Sequence, residues 1–302
     1  MNRRLFLAMA SSLPALPWAG SLANTQLPQI SKKIPSSDEL IPVIGMGTWI
    51  TFNVGRSEKL RTARAQVLKT FFELGGGMVD SSPMYGSEQE VVGEALQTLN
   101  YPSKLFSADK IWTRSTDKGV AQFDDMLRLW GLDSLDLVQV HNLVNWEAHL
   151  EFLNSLKEQG KIKYVGLTTS HGLRHEAFED ILKSEQLDFI QLTYNITHRS
   201  VEQRLLPLAQ EKGVAVIANR PLDGGHLFSQ FKNKPLPNWA SEYDIANWAQ
   251  FFLKFVVSHP AVTCAIPATS KVVHMQENMG ACYGRLPDEA GRNAMLEYIK
   301  SV

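Results

Sequence analysis

The chain has few cysteines and no excess of charge of either sign. Its 302 residues include two cysteines, Cys264 and Cys282, which excludes a small fold held together by many disulfides. Neither cysteine has metal-ligand spacing to a histidine, so no metal site is expected. The 31 acidic and 30 Lys and Arg residues leave a formal charge of −1, and no block of like charge occurs. This balance argues against nucleic-acid or anionic-membrane binding and favours a small-molecule ligand.

Cys264 lies in the apolar run AVTCAIP, as a small core residue does. We therefore expect two free thiols. A disulfide is the alternative if the chain resides in an oxidising compartment.

The chain also lacks a run of ~20 predominantly apolar residues, so stable membrane insertion is not expected. Residues 1–23 carry Arg3 and Arg4, then an apolar stretch diluted by serine, proline and glycine, then small residues at Ser21 and Ala23. This order is typical of a cleaved signal peptide, and the arginine pair followed by Leu-Phe-Leu resembles a twin-arginine leader. We expect a periplasmic or otherwise exported protein that meets the twin-arginine translocase, with residues 24–39 as an extension. A cytoplasmic protein with a chance arginine pair, or an uncleaved anchor, is the alternative.

Beyond residue 39, short β-branched runs alternate with longer segments of helical period, which indicates repeated βα units. Eight strands are expected at 41–49, 77–82, 104–112, 135–142, 163–170, 187–195, 213–220 and 262–270. The expected helices are 64–74, 88–99, 120–130, 147–159, 173–183, 201–211, 245–258 and 271–279. Eight right-handed crossovers close a parallel sheet on itself. The sequence therefore predicts an α/β fold, a single-domain (β/α)8 TIM barrel over residues 40–286, with a C-terminal helix at 287–302 and a long functional loop at 223–244.

In such a barrel the active site is built at the carboxyl ends of the strands. An acid, a phenol, an amine and an imidazole stand at or just after four of these ends: Asp80, Tyr85, Lys110 and His141. This set suits proton transfer to or from a carbonyl or alcohol oxygen. We expect the lysine ammonium to lower the phenol pKa from its ordinary value of ~10 towards the working range.

Five motifs in order make the chain resemble the aldo-keto reductase superfamily from about residue 40 to 286. They are IPVIGMGTW, MVDSSPMYGSEQEVVGEAL, SADKIW, DLVQVHN and IPATSKVVHMQEN. The resemblance implies NADP(H), or less often NAD(H), and hydride transfer between nicotinamide and a carbonyl or alcohol. It also implies that Tyr85 is the general acid, that Asp80 and Lys110 tune its pKa, and that His141 orients the carbonyl.

The same resemblance implies a cofactor site. Thr168, Thr169 and Gln191 fall where the family binds the carboxamide, although a Thr-Thr pair replaces the usual Ser-Asn. Asn219, followed by Arg220, stands where many members stack an aromatic ring on the nicotinamide. The segment contacting adenosine and its 2′-phosphate supplies Ser270, Lys271, Gln276 and Asn278, a hydroxyl and a lysine at a helix N-terminus that suit a phosphate.

A substrate pocket is expected from apolar residues beside these strand ends. They are Trp49, Met84 and Trp112, with Trp146 and Trp239 as further candidates. The function predicted is an NADP(H)-dependent oxidoreductase acting on a small carbonyl or alcohol. The alternative, suggested by Asn219 and the Thr-Thr pair, is a protein that binds nucleotide or ligand without turnover. Substrate, direction and oligomeric state stay open at this point.

Overall fold

The computed structural model describes residues 27–302, so the expected signal segment 1–23 lies outside the described residues. Ten strands occur in this part of the chain: β1 Ser31–Lys33, β2 Leu40–Pro42, β3 Met46–Gly47, β4 Met78–Asp80, β5 Phe106–Ile111, β6 Leu135–Val140, β7 Ile162–Thr168, β8 Phe189–Thr193, β9 Ala215–Asn219 and β10 Val262–Ala265. The α-helices are α1 Glu58–Glu73, α2 Glu88–Thr98, α3 Thr116–Trp130, α4 Trp146–Glu158, α5 His175–Ser184, α6 Leu205–Lys212, α7 His226–Phe231, α8 Trp248–Val257, α9 Val272–Gly280 and α10 Glu289–Ser301.

Strands β3 to β10 form one parallel sheet in which each strand pairs with the next along the chain. Backbone bridges from Ile44 to Ala265 and from Gly47 to Ala268 join its two edges. The sheet therefore closes, and the predicted (β/α)8 barrel is confirmed. Each of the eight predicted strands and helices is present, with ends shifted by a few residues.

The barrel interior is apolar at the amino ends of the strands. Successive side chains of a strand point to opposite faces of the sheet, so every second residue of each strand faces the barrel interior. This interior cluster contains Met78, Phe106, Ala108, Leu137, Tyr164, Phe189, Ala215, Ile217 and Cys264. A larger apolar layer lies between the outer face of the sheet and the helices. Because the lower interior is filled by side chains, polar groups are left to the carboxyl ends.

A β-hairpin that the sequence did not predict closes the amino end of the barrel. Strands β1 and β2 pair antiparallel, and Ile34 and Ile41 join the interior cluster. The Lys32 ammonium donates to the carbonyl oxygens of Val257, His259 and Val262 at 2.6 to 2.9 Å. This cap seals the bottom of the barrel from solvent.

The segment 223–244, expected as a long loop, instead contains α7 and two 3-10 turns. Trp239 within it packs against Tyr243, Phe251 and Tyr298. The expected C-terminal helix is present as α10, whose Tyr298 hydroxyl donates to the carbonyl oxygen of Pro235 at 2.9 Å. Tertiary packing of aromatic rings therefore orders a segment that local sequence leaves open.

Both cysteines are buried and free, as expected. Within residues 27–302, no helix has the length and apolar character needed to cross a membrane.

Helices α2 and α3 touch at Gly93, where a β-carbon would lie 1.8 Å from the carbonyl oxygen of Leu129. We expect Gly93→Ala to lower the free energy of unfolding by about 2–3 kcal/mol, because that backbone cannot yield without moving the helix. Gln97→Ala, on the exposed face of the same helix, is the control and should change it by under about 0.5 kcal/mol. Urea unfolding measures both; equal stabilities for the two variants would contradict the close packing.

Candidate active site

Strand alternation brings polar side chains together at the carboxyl end of the barrel. Lys110 follows Phe106 and Ala108 by two-residue steps on β5, and Asp80 follows Met78 on β4. Gln139 follows Leu137 and Gln191 follows Phe189 in the same way. Each of these polar side chains is buried. The same two-residue alternation that directs apolar side chains into the barrel therefore also directs these polar side chains towards one another.

Lys110 and Asp80 form an ion pair within this layer. The Lys110 ammonium lies 2.5 Å from Asp80 Oδ1 and donates to the carbonyl oxygen of Ser81 at 2.7 Å. The exposed side-chain fractions are 0% for Lys110 and 3% for Asp80. Asp80 Oδ2 accepts hydrogen bonds from Gln191 at 2.9 Å and Gln139 at 3.4 Å. The carboxylate is thus held on both oxygens.

Tyr85 lies on a single 3-10 turn, Pro83–Tyr85, just after β4. The Lys110 ammonium is 5.6 Å from its ring centroid. Burial, and then the charges of Asp80, Glu88 and Asp109, raise the pKa of the Tyr85 phenol well above its ordinary value. The net shift is thus opposite to the expected lowering by Lys110, because burial of the phenol and the nearby carboxylates dominate. The phenol keeps its proton throughout the physiological range.

His141 follows β6, and its ring stands perpendicular to that of Tyr85 at 5.6 Å between centroids. Burial, and then the charge of Lys110, lower the pKa of the imidazole to about 3. Its Nδ1 lies 2.7 Å from the hydroxyl oxygen of Ser82. The site therefore holds two neutral groups, a phenol and an imidazole. Sequence reasoning did not select Ser82, because the contact joins residues 59 positions apart and the serine alone gives no signal.

A cavity of about 650 Å³ opens above the ion pair, within the range of small-molecule and cofactor sites. Several predicted catalytic and substrate-pocket residues line it: Trp49, Asp80, Met84, Tyr85 and His141. Lys110 lies beneath them. The predicted cofactor residues that line it are Thr168, Thr169, Gln191, Asn219, Arg220, Ser270 and Asn278.

Asn219 links three strands at the cavity wall. Its Oδ1 accepts from the Thr193 hydroxyl at 2.6 Å, and its amide donates to the carbonyl oxygen of Thr169 at 2.8 Å. The Thr168 hydroxyl accepts from the backbone amide of Asn142 at 3.1 Å. In contrast, the buried Thr169 hydroxyl has no partner among residues 27–302. The side chain of Asn219 is therefore occupied in bonds that stabilise the cavity wall, whereas the Thr169 hydroxyl is available to bond a ligand.

Residues of α9 form part of the cavity wall, and only some of the predicted ones line it. Lys271 and Gln276 are exposed and do not line the cavity. His274, Glu277 and Asn278 line it instead. Because residues three or four apart share a helix face, positions 274, 277 and 278 face the cavity together while 276 faces away. The sequence motif predicted that a helix lies here, but which side of the helix faces the cavity is known only from its packing in the structure.

Trp49 and Met84 line the cavity as predicted sites, and the Arg220 guanidinium carbon is 5.8 Å from the Trp49 ring centroid. Trp112, the third predicted pocket residue, does not line it. Its backbone amide and carbonyl both bond the side-chain amide of Gln122 on α3, at 2.8 and 3.0 Å, which draws the chain outward and leaves the residue 42% exposed.

Trp146 and Trp239 are also absent from this cavity. Among residues 27–302, no group of three or more His, Cys, Asp or Glu side chains is placed to hold a metal ion.

Known proteins of one family resemble this chain in sequence and in structure. The sequence model described as the aldo/keto reductase family matches residues 43–293. The chain belongs to the aldo/keto reductase family. It is an oxidoreductase of that family, as its motifs predicted. Methylglyoxal reductase YeaE of Escherichia coli is 29% identical over 254 residues, covering 80% of this chain and 86% of that protein.

Solved structures agree with this assignment. An aldo/keto reductase from Klebsiella pneumoniae, solved in complex with NADP and acetate, superposes with a TM-score of 0.71 at 25% identity over 87% of this chain and 92% of that one. Another, from Bacillus halodurans, gives a TM-score of 0.73 at 21% identity, covering 90% and 96%. The Bacillus halodurans structure, at this lower identity, shows that the two chains share a fold.

Glu88, the first residue of α2, is a buried carboxyl near the Tyr85 phenol. Burial raises its pKa from the ordinary 4.5 to about 8. The folded chain thus binds this proton more tightly than the unfolded chain. Stability should therefore decline as the pH rises through the interval from 4.5 to about 8.

Glu88→Gln keeps the shape of the side chain and removes its ionisation. We expect the free energy of unfolding of the wild type, relative to this variant, to decrease between pH 5 and pH 8 and then to level off. Denaturant titrations across that range measure the difference, with Glu151→Gln at an exposed site on α4 as the control. A difference independent of pH would show that Glu88 is ionised in the folded protein.

Proposed function

We propose that this aldo/keto reductase uses NADP(H) to interconvert a small aldehyde or ketone and its alcohol, with Tyr85 as the general acid. One observation carries the proposal: a neutral phenol and a neutral imidazole line the same cavity, directly above the buried Lys110–Asp80 pair. Methylglyoxal reductase YeaE and the pyridoxine 4-dehydrogenase of Escherichia coli, which is 27% identical over 71% of this chain and 79% of that protein, support a small carbonyl or alcohol substrate.

The residues present fit the cofactor. The partnerless hydroxyl of Thr169 lines the cavity beside the side-chain oxygen of Gln191, whose amide nitrogen is held by Asp80, and both oxygens can bond a cofactor amide. Two other lining residues, Ser270 and His274, lie at the N-terminus of α9, where backbone amides and the helix dipole attract a phosphate. When bound, NADPH supplies the hydride.

The Klebsiella pneumoniae relative was solved in complex with NADP. An NADH-specific methylglyoxal reductase of Escherichia coli is 25% identical over 69% of this chain and 73% of that protein, so NAD(H) is the alternative cofactor to assay.

The chain's own groups account for the proton transfer. Tyr85 donates its phenolic proton to the carbonyl oxygen as negative charge develops there. The Lys110 ammonium, 5.6 Å from the ring centroid, stabilises the phenolate that remains, and Asp80 holds the ammonium in place. The His141 imidazole, neutral because of its lowered pKa, hydrogen-bonds the same oxygen and orients it. With all four residues in place, the alternative of binding without turnover is not favoured.

Tyr85→Phe tests this function, because it removes one hydroxyl and keeps the ring. We expect kcat for aldehyde reduction to fall at least about 100-fold, the usual contribution of a positioned acid, with NADPH affinity unchanged. Tyr164→Phe, whose hydroxyl bonds Glu39 and Ser37 at the far end of the barrel, should keep full activity. NADPH oxidation with a panel of small aldehydes is the assay; undiminished turnover in Tyr85→Phe would remove the phenol from the mechanism.

We also propose that the protein is exported through the twin-arginine translocase and acts in the periplasm. Support comes from the order of features in residues 1–23, with Arg3 and Arg4 before the apolar stretch. By general understanding this pathway carries folded proteins, so a cofactor bound in the cytoplasm can travel with the enzyme.

N-terminal sequencing of protein from fractionated cells tests this export. The proposal predicts a mature chain starting at residue 24 in the periplasmic fraction, retained nucleotide by native mass spectrometry, and loss of export when Arg3 and Arg4 are both replaced by lysine. An intact N-terminus in the cytoplasmic fraction would reject it.

A further inference from the structure

We propose that Ser82 is a positioning residue that holds His141 as the Nε2–H tautomer, so that the imidazole is a hydrogen-bond donor to the substrate oxygen. The inference deepens the function proposed above and rests on it. Ser82 lies within the motif MVDSSPMYGSEQEVVGEAL, but neither the motif nor the family comparison assigns it a role. The geometry of the described residues does.

Ser82 joins two parts of the site. Its hydroxyl oxygen lies 2.7 Å from His141 Nδ1. The same oxygen accepts a hydrogen bond from the backbone amide of Met84 at 3.3 Å, capping the 3-10 turn that carries Tyr85. Ser82 is fully buried and His141 is 4% exposed. A single side chain therefore positions both the phenol-bearing turn and the imidazole.

The number of protons at this contact decides the tautomer. A serine hydroxyl has one hydrogen to donate and two lone pairs to accept. The Met84 amide uses one lone pair as an acceptor site, and the hydroxyl makes no hydrogen bond within residues 27–302 other than those with Met84 and His141. If Nδ1 carried the proton, the buried hydroxyl hydrogen would have no acceptor. If Nε2 carries it, the hydroxyl donates to Nδ1, and both the hydroxyl hydrogen and Nδ1 are satisfied.

An unsatisfied buried donor is disfavoured on the order of tenfold or more in population. The bias applies to the neutral ring, and His141 is neutral because burial, and then Lys110, lower its pKa. The Nε2–H tautomer is therefore the resting form. Its Nε2 makes no hydrogen bond within the described residues, and the ring lines the cavity.

This tautomer gives the cavity two donors, the phenolic hydroxyl of Tyr85 and Nε2–H of His141. A carbonyl oxygen has two lone pairs and can accept from both. With the other tautomer, the lone pair on Nε2 would face the lone pairs of the substrate oxygen. Ser82 thus makes the imidazole complementary to an oxygen on which negative charge develops.

Nitrogen NMR on the wild-type holoenzyme tests the tautomer directly. Protein labelled with ¹⁵N-histidine contains eight histidines, and the signals of His141 are those missing from His141→Gln. The proposal predicts an unprotonated Nδ1 and a protonated Nε2 at neutral pH. A protonated Nδ1 would overturn it. This measurement needs no turnover, so it can fail or succeed independently of the function proposed above.

Ser82→Ala tests the consequence for the reaction. We expect kcat/KM for the carbonyl substrate to fall about tenfold, corresponding to one lost buried hydrogen bond, with the affinity for NADPH unchanged. The tautomer signals should shift towards Nδ1–H. Ser107→Ala removes an equally buried hydroxyl near the amino end of β5, where it bonds Asp136 at 3.0 Å, and should change neither readout.

A double-mutant cycle separates positioning from general destabilisation. If Ser82 acts through the imidazole, Ser82→Ala should have little further effect on kcat/KM in the His141→Gln background. An undiminished tenfold loss in that background would overturn the proposal. Ser82→Thr keeps the hydroxyl and should keep the Nε2–H signal; Nδ1 protonation in that variant would count equally against the assignment.

Discussion

The ion pair between Lys110 and Asp80 is the contact on which the rest of the site depends. Burial of two charges is unfavourable unless each is paired and hydrogen-bonded, and here both conditions hold, with 2.5 Å between them and further bonds to the carbonyl of Ser81 and the amides of Gln191 and Gln139. Loss of either partner would leave an uncompensated buried charge. The pair therefore ties strands β4, β5, β6 and β8 together at the end of the barrel where the chemistry takes place.

Burial, together with the charges of this pair, determines the protonation of its neighbours. Burial of the phenol, and then the charges of Asp80, Glu88 and Asp109, raise the pKa of Tyr85, so it keeps its proton. The same burial keeps the imidazole of His141 neutral. In the proposed reaction, two uncharged donors therefore face the carbonyl oxygen. Tyr85 gives its proton to that oxygen, and the Lys110 ammonium stabilises the phenolate that remains. Because both donors are uncharged, neither adds a buried charge without a partner beside the Lys110–Asp80 pair.

Sequence predicted the barrel and the four central residues because both depend on short-range patterns. Strand runs of alternating polarity place Asp80 and Lys110 in one layer, whatever the loops do. Features set by long-range packing were not predictable: the capping hairpin β1–β2, the ordered segment at 223–244, and the face of α9 that presents His274 in place of Gln276. The position of Trp112 outside the cavity lining likewise depends on a tertiary contact, the bonds of its backbone to Gln122 on α3.

The central claim is that Tyr85 is a neutral phenol poised to donate its proton. Carbon NMR of protein labelled at the tyrosine ζ-carbon follows this ionisation directly, with the Tyr85 signal among seven tyrosines assigned by its loss in Tyr85→Phe. The structure predicts that this signal keeps its phenol position throughout a titration up to pH ~10, the ordinary tyrosine pKa, and that Lys110→Met leaves it protonated. Ionisation of Tyr85 between about pH 6 and 8 in the wild type would contradict the account.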